Sequence, residues 1–305
     1  MKKITVGIVG YGNLGKAVEK LIVEKNEYNL VGIFSRRNII SNLKSPCFDM
    51  NKLKEFKEKI DILILCGGSD SDLLLQTPIL VKDFNIINTF DTHKLIKQEK
   101  EKLDKLAKES KKYAIICCGW DPGLFSQMRI LFNAISDVKS VSFWGKGVSM
   151  GHTNALKKVA NVKDAVAYTL PNEKSLKKVT VSHLRKIFVV ADKKHQKQIK
   201  SDILANNNYF SDFPVSIRFI SQNKFNKHHN LRPHAGKIIN NFVKAENKNQ
   251  IEFSVKMQDN AIFTASIVVA YLKTFEKLAK NFDFGAYTLP EIPISYLDEN
   301  FLDLV

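Results

Sequence analysis

A glycine-rich turn stands between an apolar run and a helical pattern within the first 22 residues of the chain. Residues Ile4 to Val9 are mostly β-branched or apolar, which is typical of a strand buried on both faces of a parallel sheet. Gly10, Gly12 and Gly15 then fit the spacing G-x-G-x-x-G, in which the glycines permit a tight turn, close approach of a pyrophosphate, and close helix packing. The turn predicts a dinucleotide site; the alternative is an ordinary strand-to-helix connection.

The helical pattern after the turn has one apolar stripe, with lysines and glutamates elsewhere. The stripe consists of Leu14, Ala17, Val18, Leu21 and Ile22. A helix that begins at such glycines directs its free N–H groups and the positive end of its dipole toward a ligand. That arrangement favours a phosphate group.

The second predicted strand, Leu30 to Phe34, ends in Ser35, Arg36 and Arg37. NAD-binding units usually place an Asp or Glu here to bind the ribose 2′-hydroxyl, and such a carboxylate would repel a 2′-phosphate. A serine with two arginines favours that phosphate instead, so the sequence predicts NADP as the cofactor. The alternative is two surface arginines at a strand end.

Strand and helix patterns alternate up to about residue 123, which predicts a Rossmann-type, doubly wound parallel sheet. Asp91 and Asp121 follow two of the predicted strands, and ligands of such sheets bind beyond the carboxyl ends of the strands. Both acids are therefore candidate functional residues. The alternative is that they are solvated caps, with Asp121 capping the helix that begins at Leu124.

The pattern changes after residue 124 to alternating, strand-like runs, which predicts an α+β domain with a mixed or antiparallel sheet. We expect a cofactor-binding domain at 1–123 and a substrate-binding and dimerisation domain at 124–282. The tail at 283–305 is expected to return to the first domain. Residues 145–152 are predicted to form a flexible loop, and residues 262–282 one long helix.

Composition argues against several classes of protein. The net charge is +16, but the lysines are scattered among glutamates, which favours a solvated surface over a nucleic-acid site. The chain contains no apolar window long enough for a membrane span and no signal-peptide pattern, so we expect a cytoplasmic protein. The four cysteines have no metal-ligand spacing and indicate a reducing compartment, and we expect no bound metal.

Several stretches together resemble the NADP-dependent meso-diaminopimelate D-dehydrogenases, enzymes of lysine and cell-wall precursor metabolism. They are Gly7–Lys20 (GIVGYGNLGKAVEK), Val31–Arg37 (VGIFSRR), Thr89–His93 (TFDTH), Gly119–Ser126 (GWDPGLFS), Phe143–Gly147 (FWGKG), Met150–His152 (MGH), Tyr168–Pro171 (YTLP), Phe188–Asp192 (FVVAD), Arg232–Gly236 (RPHAG) and Phe263–Ser266 (FTAS). The resemblance implies a homodimer that oxidises the D-configured amino carbon of meso-diaminopimelate to give L-2-amino-6-oxopimelate and ammonia, reversibly. The alternatives are a broader D-amino-acid or imine oxidoreductase, to which Lys146 and Met150 could contribute, and a non-catalytic NADP-binding sensor.

The resemblance also implies the site residues. Around NADP it places Gly10, Tyr11, Gly12, Asn13, Leu14, Gly15, Ser35, Arg36, Arg37, Cys66, Gly67, Gly68, Ser69, Thr89, Phe90, Asp91, Cys118, Gly119, Trp120, Asp121 and Pro122. Around the substrate it places Asp91, Asp121, Trp144, Met150, Gly151, Thr169, Arg185, His234 and Asn260. Asp91 and Asp121 are implied as the catalytic pair, holding the ammonium of the D-centre. Without the resemblance, Trp144 and Met150 would be taken as core residues.

Overall fold

The computed structural model describes most of the chain and divides it into two units. The described residues are 3–41, 43–69, 71–171, 183–206, 210, 213–229 and 232–304. The first unit comprises residues 1–130 and 261–305, and the second comprises residues 131–260. The division differs from the predicted domain boundaries because the helices between residues 261 and 281 belong to the first unit.

The first unit contains a seven-stranded sheet in which all strands are parallel. Its strands are β1 (Thr5–Val9), β2 (Asn29–Ser35), β3 (Cys47–Asp49), β4 (Ile62–Leu65), β5 (Ile86–Asn88), β6 (Tyr113–Ile116) and β14 (Gly285–Thr288). Their order across the sheet is β14-β6-β5-β4-β1-β2-β3. The order reverses between β1 and β4, as in doubly wound folds. The predicted Rossmann-type sheet is confirmed.

Helices connect these strands and cover the sheet. They are α1 (Asn13–Lys25), α2 (Asp72–Leu80), α3 (Ile96–Glu109), α4 (Leu124–Ser136), α8 (Asn260–Leu272) and α9 (Thr274–Asn281). The division between the units falls within α4 and at the start of α8. Helix α1 ends because Asn26 takes a left-handed conformation, φ 51°, in which its N–H bonds to Ile22 O.

The core of the first unit is built from the strands and from helix residues such as Leu73 and Leu103 that pack against them. All four residues of β4 and all four of β6 are buried, as expected for strands covered on both faces. Near β2 and β3, the rings of Phe34, Phe48 and Phe56 pack against one another, with ring centroids 4.7–5.4 Å apart. The apolar runs that predicted the strands therefore supply much of the hydrophobic core.

The second unit contains two sheets. Their strands are β7 (Val141–Trp144), β8 (Gly147–Val148), β9 (Asp164–Pro171), β10 (His183–Val190), β11 (Val215–Phe219), β12 (His234–Lys244) and β13 (Asn247–Met257). The four-stranded sheet has the order β11-β10-β9-β8 and is mixed, because β10 pairs parallel to β11 and antiparallel to β9. The three-stranded sheet has the order β13-β12-β7 and is antiparallel. The predicted fold class is thus confirmed, with two sheets where one was expected.

Three helices in the second unit accompany the sheets: α5 (Met150–Lys157), α6 (Gln196–Ala205) and α7 (Gln222–His228). A buried apolar cluster joins α5 and α6 to β9 and β10 through Leu156, Ile199, Ile203, Ala167 and Ile187. The cluster follows the alternation of buried and half-buried residues along β10. One face of the mixed sheet is therefore covered by helices.

Two local predictions were wrong. The stretch at 145–152 is not a loop, because residues 147–148 form β8 and α5 begins at Met150. The expected long helix at 262–282 is two helices, α8 and α9. At the break, Lys273 N bonds to Ala270 O, only three residues back, and the Thr274 hydroxyl bonds to Tyr271 O at 2.8 Å. These bonds interrupt the α-helical ladder in a way that apolar spacing does not reveal.

In the described part of the chain, the helices are all too short or too polar to cross a membrane.

Substitutions at two glycines of the glycine turn are predicted to lower stability by different amounts. A Cβ atom on Gly15 would lie 2.2 Å from Gly10 O, which is backbone and cannot move aside, whereas a Cβ on Gly12 would meet nothing within 4 Å. We expect Gly15→Ala to lower the free energy of unfolding by about 3 kcal/mol or more, and Gly12→Ala by about 1 kcal/mol or less. Thermal and denaturant unfolding measure both. Equal stability of the two variants would contradict the close contact between α1 and the turn.

Candidate functional site

The parallel sheet of the first unit brings five polar segments to one edge. The segments follow β1, β2, β4, β5 and β6, which are consecutive neighbours in the sheet. They contain the residues that the sequence predicted around NADP, from Gly10 to Pro122. The carboxyl ends of parallel strands share an edge, so residues that are distant in sequence lie together there.

The glycine turn after β1 leaves room for a ligand. Gly10 has φ +90°, a conformation that favours glycine, and its N–H donates to Phe34 O. Gly12 is the N-cap of α1, has no side chain that could cap the helix, and faces open space at its Cβ position. The first turn of α1 contains no acidic residue. The helix N-terminus can therefore accept an anion.

The segment after β2 presents a buried serine followed by two exposed arginines. Ser35 is buried, and its Oγ accepts a bond from Arg37 N at 3.1 Å. Arg36 forms an ion pair with Asp72 at the start of α2, while its own side chain is 69% exposed. Arg36 is therefore already directed toward the loop after β4, whose Gly68 N also approaches Asp72 at 3.4 Å. Asp72 was not among the predicted site residues.

Asn88 joins the ends of β5 and β6. Its side chain is 1% exposed, and its Oδ1 accepts bonds from Phe90 N and Cys117 N. The backbone N of Asp91 donates to Ser69 Oγ at 3.0 Å. Burial raises the pKa of the Cys117 thiol to about 12, and the nearby Asp91 carboxylate contributes to this shift. Asp91 itself is exposed at the end of β5. Asn88 was not predicted as a site residue, because nothing in the sequence distinguishes it from the other residues of its strand.

Asp121 lies in a tight turn and binds an arginine. The turn begins after Gly119, and the Asp121 side chain is fully buried. Arg129 on α4 holds both carboxylate oxygens, with Nη1 at 3.3 Å from Oδ2 and Nη2 bonded to Oδ1. Gly123 directly precedes α4, so Asp121 does not occupy the N-cap position of that helix. A bidentate arginine leaves further lone pairs on the carboxylate.

A second group of predicted residues meets in the second unit. Arg185 on β10 pairs in register with Thr169 on β9, and its Nη1 donates to Thr169 Oγ1. Trp144 pairs with Gly236 on β12, two residues from His234. The two sheets approach closely where a Cβ on Gly147 would lie 2.2 Å from His234 Cα.

Arg185, His183 and His234 form a cluster of three buried basic side chains in the second unit. Arg185 is 8% exposed, and its Nε has no hydrogen-bond partner among the described residues. Burial lowers the pKa of Arg185 to about 10. The pKa of His234 is lowered to about 4 and that of His183 to about 3, chiefly by burial and in part by the positive charge of Arg185. At neutral pH the cluster therefore carries one positive charge, on Arg185.

His183 was missed by the sequence analysis, although it lies two residues before Arg185. Its ring lies 3.7 Å from that of Phe213 and contacts Trp144 edge-on at 5.6 Å. Arg185 also lies over the Phe213 ring, at 5.8 Å. The sequence around a histidine at the start of a strand does not indicate that its ring will pack against aromatic side chains.

The remaining predicted residues lie at the ends of helices. Met150 and Gly151 form the first turn of α5, just after Ser149, whose N–H donates to Ala167 O. Asn260 begins α8 and is buried, and its N–H donates to Arg232 O. Arg232 in turn forms an ion pair with Asp259 at 2.8 Å. Asn260 is thereby held close in space to the residues that lead into β12, from which it is 26 or more positions away in sequence.

Known proteins resemble the chain over its whole length. The family model described as "Diaminopimelic acid dehydrogenase C-terminal domain" matches residues 119–259. A meso-diaminopimelate D-dehydrogenase of Acetivibrio thermocellus is 39% identical, over 97% of this chain and 95% of that protein. The structure of the Corynebacterium glutamicum diaminopimelate dehydrogenase in complex with diaminopimelate is 34% identical and covers 100% of this chain and 98% of its own, with a TM-score of 0.93. An engineered D-amino acid dehydrogenase bound to NADP⁺ is 33% identical, covers 99% and 98%, and has a TM-score of 0.92.

The buried histidines predict a pH-dependent stability. His183 has a pKa of about 3 when folded and 6.5 as its ordinary value, so below pH 6.5 the unfolded chain binds more protons. We expect this histidine to make the free energy of unfolding fall as the pH falls from 6.5 to 4.5, by about 1 kcal/mol per pH unit. His183→Phe should remove that part of the slope, measured by denaturant unfolding at several pH values.

The exposed His93 provides the matched control. His93→Phe should retain the wild-type slope. A His183→Phe slope equal to that of the wild type would contradict a neutral, buried His183.

Proposed function

The chain belongs to the family of meso-diaminopimelate D-dehydrogenases, and on that basis we propose that it oxidises the D-configured amino carbon of meso-diaminopimelate with NADP⁺. NADP⁺ supplies the hydride acceptor, and the protein supplies binding and orientation. The substrate loses a hydride and a proton to become an imine, water adds to the imine carbon, and ammonia leaves. The other product is L-2-amino-6-oxopimelate, and the reverse reaction is a reductive amination.

The first unit is suited to NADP. The open space in front of Gly12 and the uncapped N-terminus of α1 fit a pyrophosphate, since the N–H groups there are available to an anion. Ser35, Arg36 and Arg37 provide a hydroxyl and two cations where a 2′-phosphate would lie, and that segment itself contains no carboxylate. Asp72 of α2 pairs with Arg36, so Arg37 is the cation of the segment that carries no described ion pair. We assign the remaining cofactor contacts to the segments that follow β4, β5 and β6.

The observation that carries the proposal is the buried guanidinium of Arg185. A buried cation without a carboxylate partner is unfavourable unless a ligand supplies the anion. Among the described residues Arg185 bonds to the neutral Thr169, and the neighbouring His234 is neutral at working pH. We assign the distal carboxylate of the substrate, at the L-centre, to Arg185, Thr169 and His234, because one carboxylate neutralises the single charge of the cluster.

We assign the reacting D-centre to the two aspartates of the first unit. The carboxylate of Asp91 is exposed and can bind the ammonium group, while Arg129 fixes the orientation of Asp121. Either aspartate can accept a proton from the amine or help to activate water at the imine carbon. Trp144, Met150, Gly151 and Asn260 are assigned to the shape and polar lining of the substrate site.

The function is tested by following NADP⁺ reduction with meso-diaminopimelate, its LL and DD isomers, and a panel of D-amino acids. We expect turnover with the meso isomer and NADP⁺, and much weaker turnover with NAD⁺. Arg185→Ala should lower kcat/KM for the meso isomer by at least about a hundredfold, because losing a buried charge contact costs about 3 kcal/mol. Arg218→Ala changes an exposed arginine on the neighbouring strand β11 and should leave kcat/KM within twofold, about 0.4 kcal/mol.

Two outcomes would contradict the proposal. Turnover across many D-amino acids at equal rates would identify a broader oxidoreductase. NADPH binding without any turnover would identify a sensor.

We also propose that the chain forms a homodimer. Helix α4 exposes the apolar side chains of Ile130, Leu131 and Ile135. Val138, two residues after the end of the helix, is exposed as well, and the four residues are 45–58% exposed. Exposed apolar side chains grouped in one short stretch of the chain favour association, and a second copy of the chain is the occupant that the family implies.

Sedimentation equilibrium should therefore give twice the mass of the chain. Ile135→Glu should shift the equilibrium toward monomer, since it buries a charge in the interface. Leu75→Glu changes an equally apolar side chain on α2, 70% exposed, and should leave the dimer intact. A monomeric wild type would contradict the assignment.

A cytoplasmic location is the last part of the proposal. Its support is the set of four free cysteines, three of them buried, which suits a reducing compartment. Cell fractionation that places the activity elsewhere would contradict it.

A further inference from the structure

Helix α1 carries a buried carboxylate beside the glycine turn. Glu19 is 1% exposed, although the sequence pattern placed the glutamates of this helix on its solvent side. The other buried residues of α1 are Gly15, Ala17, Val18 and Ile22, which are small or apolar. An apolar side chain at position 19 would suit these neighbours at lower cost than a carboxylate, because burying a polar group is unfavourable unless it is hydrogen-bonded.

The carboxylate of Glu19 accepts bonds from two hydroxyl groups. Tyr11 Oη donates to Oε2 at 2.5 Å, and Ser41 Oγ donates to Oε1. Hydroxyl bonds to a carboxylate are shorter and stronger than bonds between neutral groups. Each oxygen of Glu19 is thus held by a different segment of the chain.

The two hydroxyl groups come from the two segments assigned above to opposite parts of NADP. Tyr11 stands between Gly10 and Gly12 in the turn assigned to the pyrophosphate. Ser41 follows the Ser35–Arg37 segment assigned to the 2′-phosphate. Ser41 Oγ also accepts bonds from the backbone N–H groups of Leu43 and Ser45, at 3.0 and 3.3 Å, so it organises the turn in which it lies.

We propose that Glu19 is a positioning residue for cofactor selection. Its carboxylate fixes the segment after β2 against the glycine turn before the cofactor binds, so that less ordering is left to be done on binding. This inference rests on the proposed function, because it takes NADP as the ligand of these two segments. Glu19 itself does not contact the cofactor in this proposal.

We expect loss of the Tyr11 bond to Glu19 and loss of the Ser41 bond to Glu19 to change cofactor binding in different ways. NADP and NAD both place a pyrophosphate at the glycine turn, whereas only NADP has a 2′-phosphate. Loss of the Ser41 bond should therefore weaken NADPH binding and leave NADH binding nearly unchanged. Loss of the Tyr11 bond should weaken the binding of both cofactors by a similar factor.

The experiment measures the Kd of NADPH and of NADH by fluorescence titration of the whole protein, without substrate. Ser41→Ala should raise the Kd of NADPH about three- to tenfold, as expected for one lost hydrogen bond, and that of NADH less than twofold. Tyr11→Phe should raise both by similar factors. Glu19→Leu breaks both bonds at once and should raise the Kd of NADPH at least as much as Ser41→Ala.

Ser45→Ala is the matched control, because it makes the same change in the same segment and its hydroxyl is not bonded to Glu19. It should leave both constants unchanged. If Glu19→Leu does not fold, Ser41→Ala and Tyr11→Phe decide the question.

Three results would overturn the inference. They are no change in Ser41→Ala, an equal change for NADPH and NADH in that variant, and a matching change in Ser45→Ala. The measurement separates this inference from the proposed function because it requires no turnover. NADPH binding without oxidation of diaminopimelate would overturn the proposed function alone, and failure of the wild type to bind NADPH would overturn both.

Discussion

Parallel pairing of all seven strands decides where the polar loops of the first unit lie. Each strand must be followed by a crossover, so each carboxyl end opens onto the same edge of the sheet. The close contact between Gly15 and the Gly10 carbonyl makes the first crossover compact, and the buried Asn88 holds the ends of β5 and β6 in one arrangement. The chemistry of the unit thus depends on backbone geometry as much as on its charged side chains.

In the second unit, the main constraint is a buried cation, the guanidinium of Arg185. Arg185 lies over the Phe213 ring and donates to the Thr169 hydroxyl. Burial keeps His183 and His234 beside Arg185 from taking up protons at neutral pH. The result is a single fixed charge in a site of low polarity, where an interaction with an anion is much stronger than in water. An amino acid with carboxylates at both ends can be oriented by such a charge.

Local patterns predicted the parts of the structure that depend on neighbours in sequence. The glycine turn, helix α1 and the strands β1, β2, β4, β5 and β6 follow from spacing and burial periods, and the fold class is confirmed. The short strands β3 and β14 were not predicted. The pairing of Asp121 with Arg129 joins residues eight positions apart, and that of Thr169 with Arg185 depends on strand register. Glu19 has the pattern of a solvent-facing helix residue and is buried because tertiary contacts supply two hydroxyl donors. The roles assigned to the site residues remain predictions.

The discontinuity of the first unit has a consequence for synthesis. Strand β14 comes from residues 285–288, yet it pairs with β6 at residues 113–116, so the sheet lacks its last strand until the chain is nearly complete. The whole second unit leaves the ribosome before that strand does, and at roughly 5–20 residues per second the delay lasts several seconds or more. During this interval β6 is an open, apolar edge of the kind that pairs with other chains. The nascent protein is thus most exposed to aggregation, and most dependent on chaperones, after the second unit has been made and before the C-terminal strand arrives.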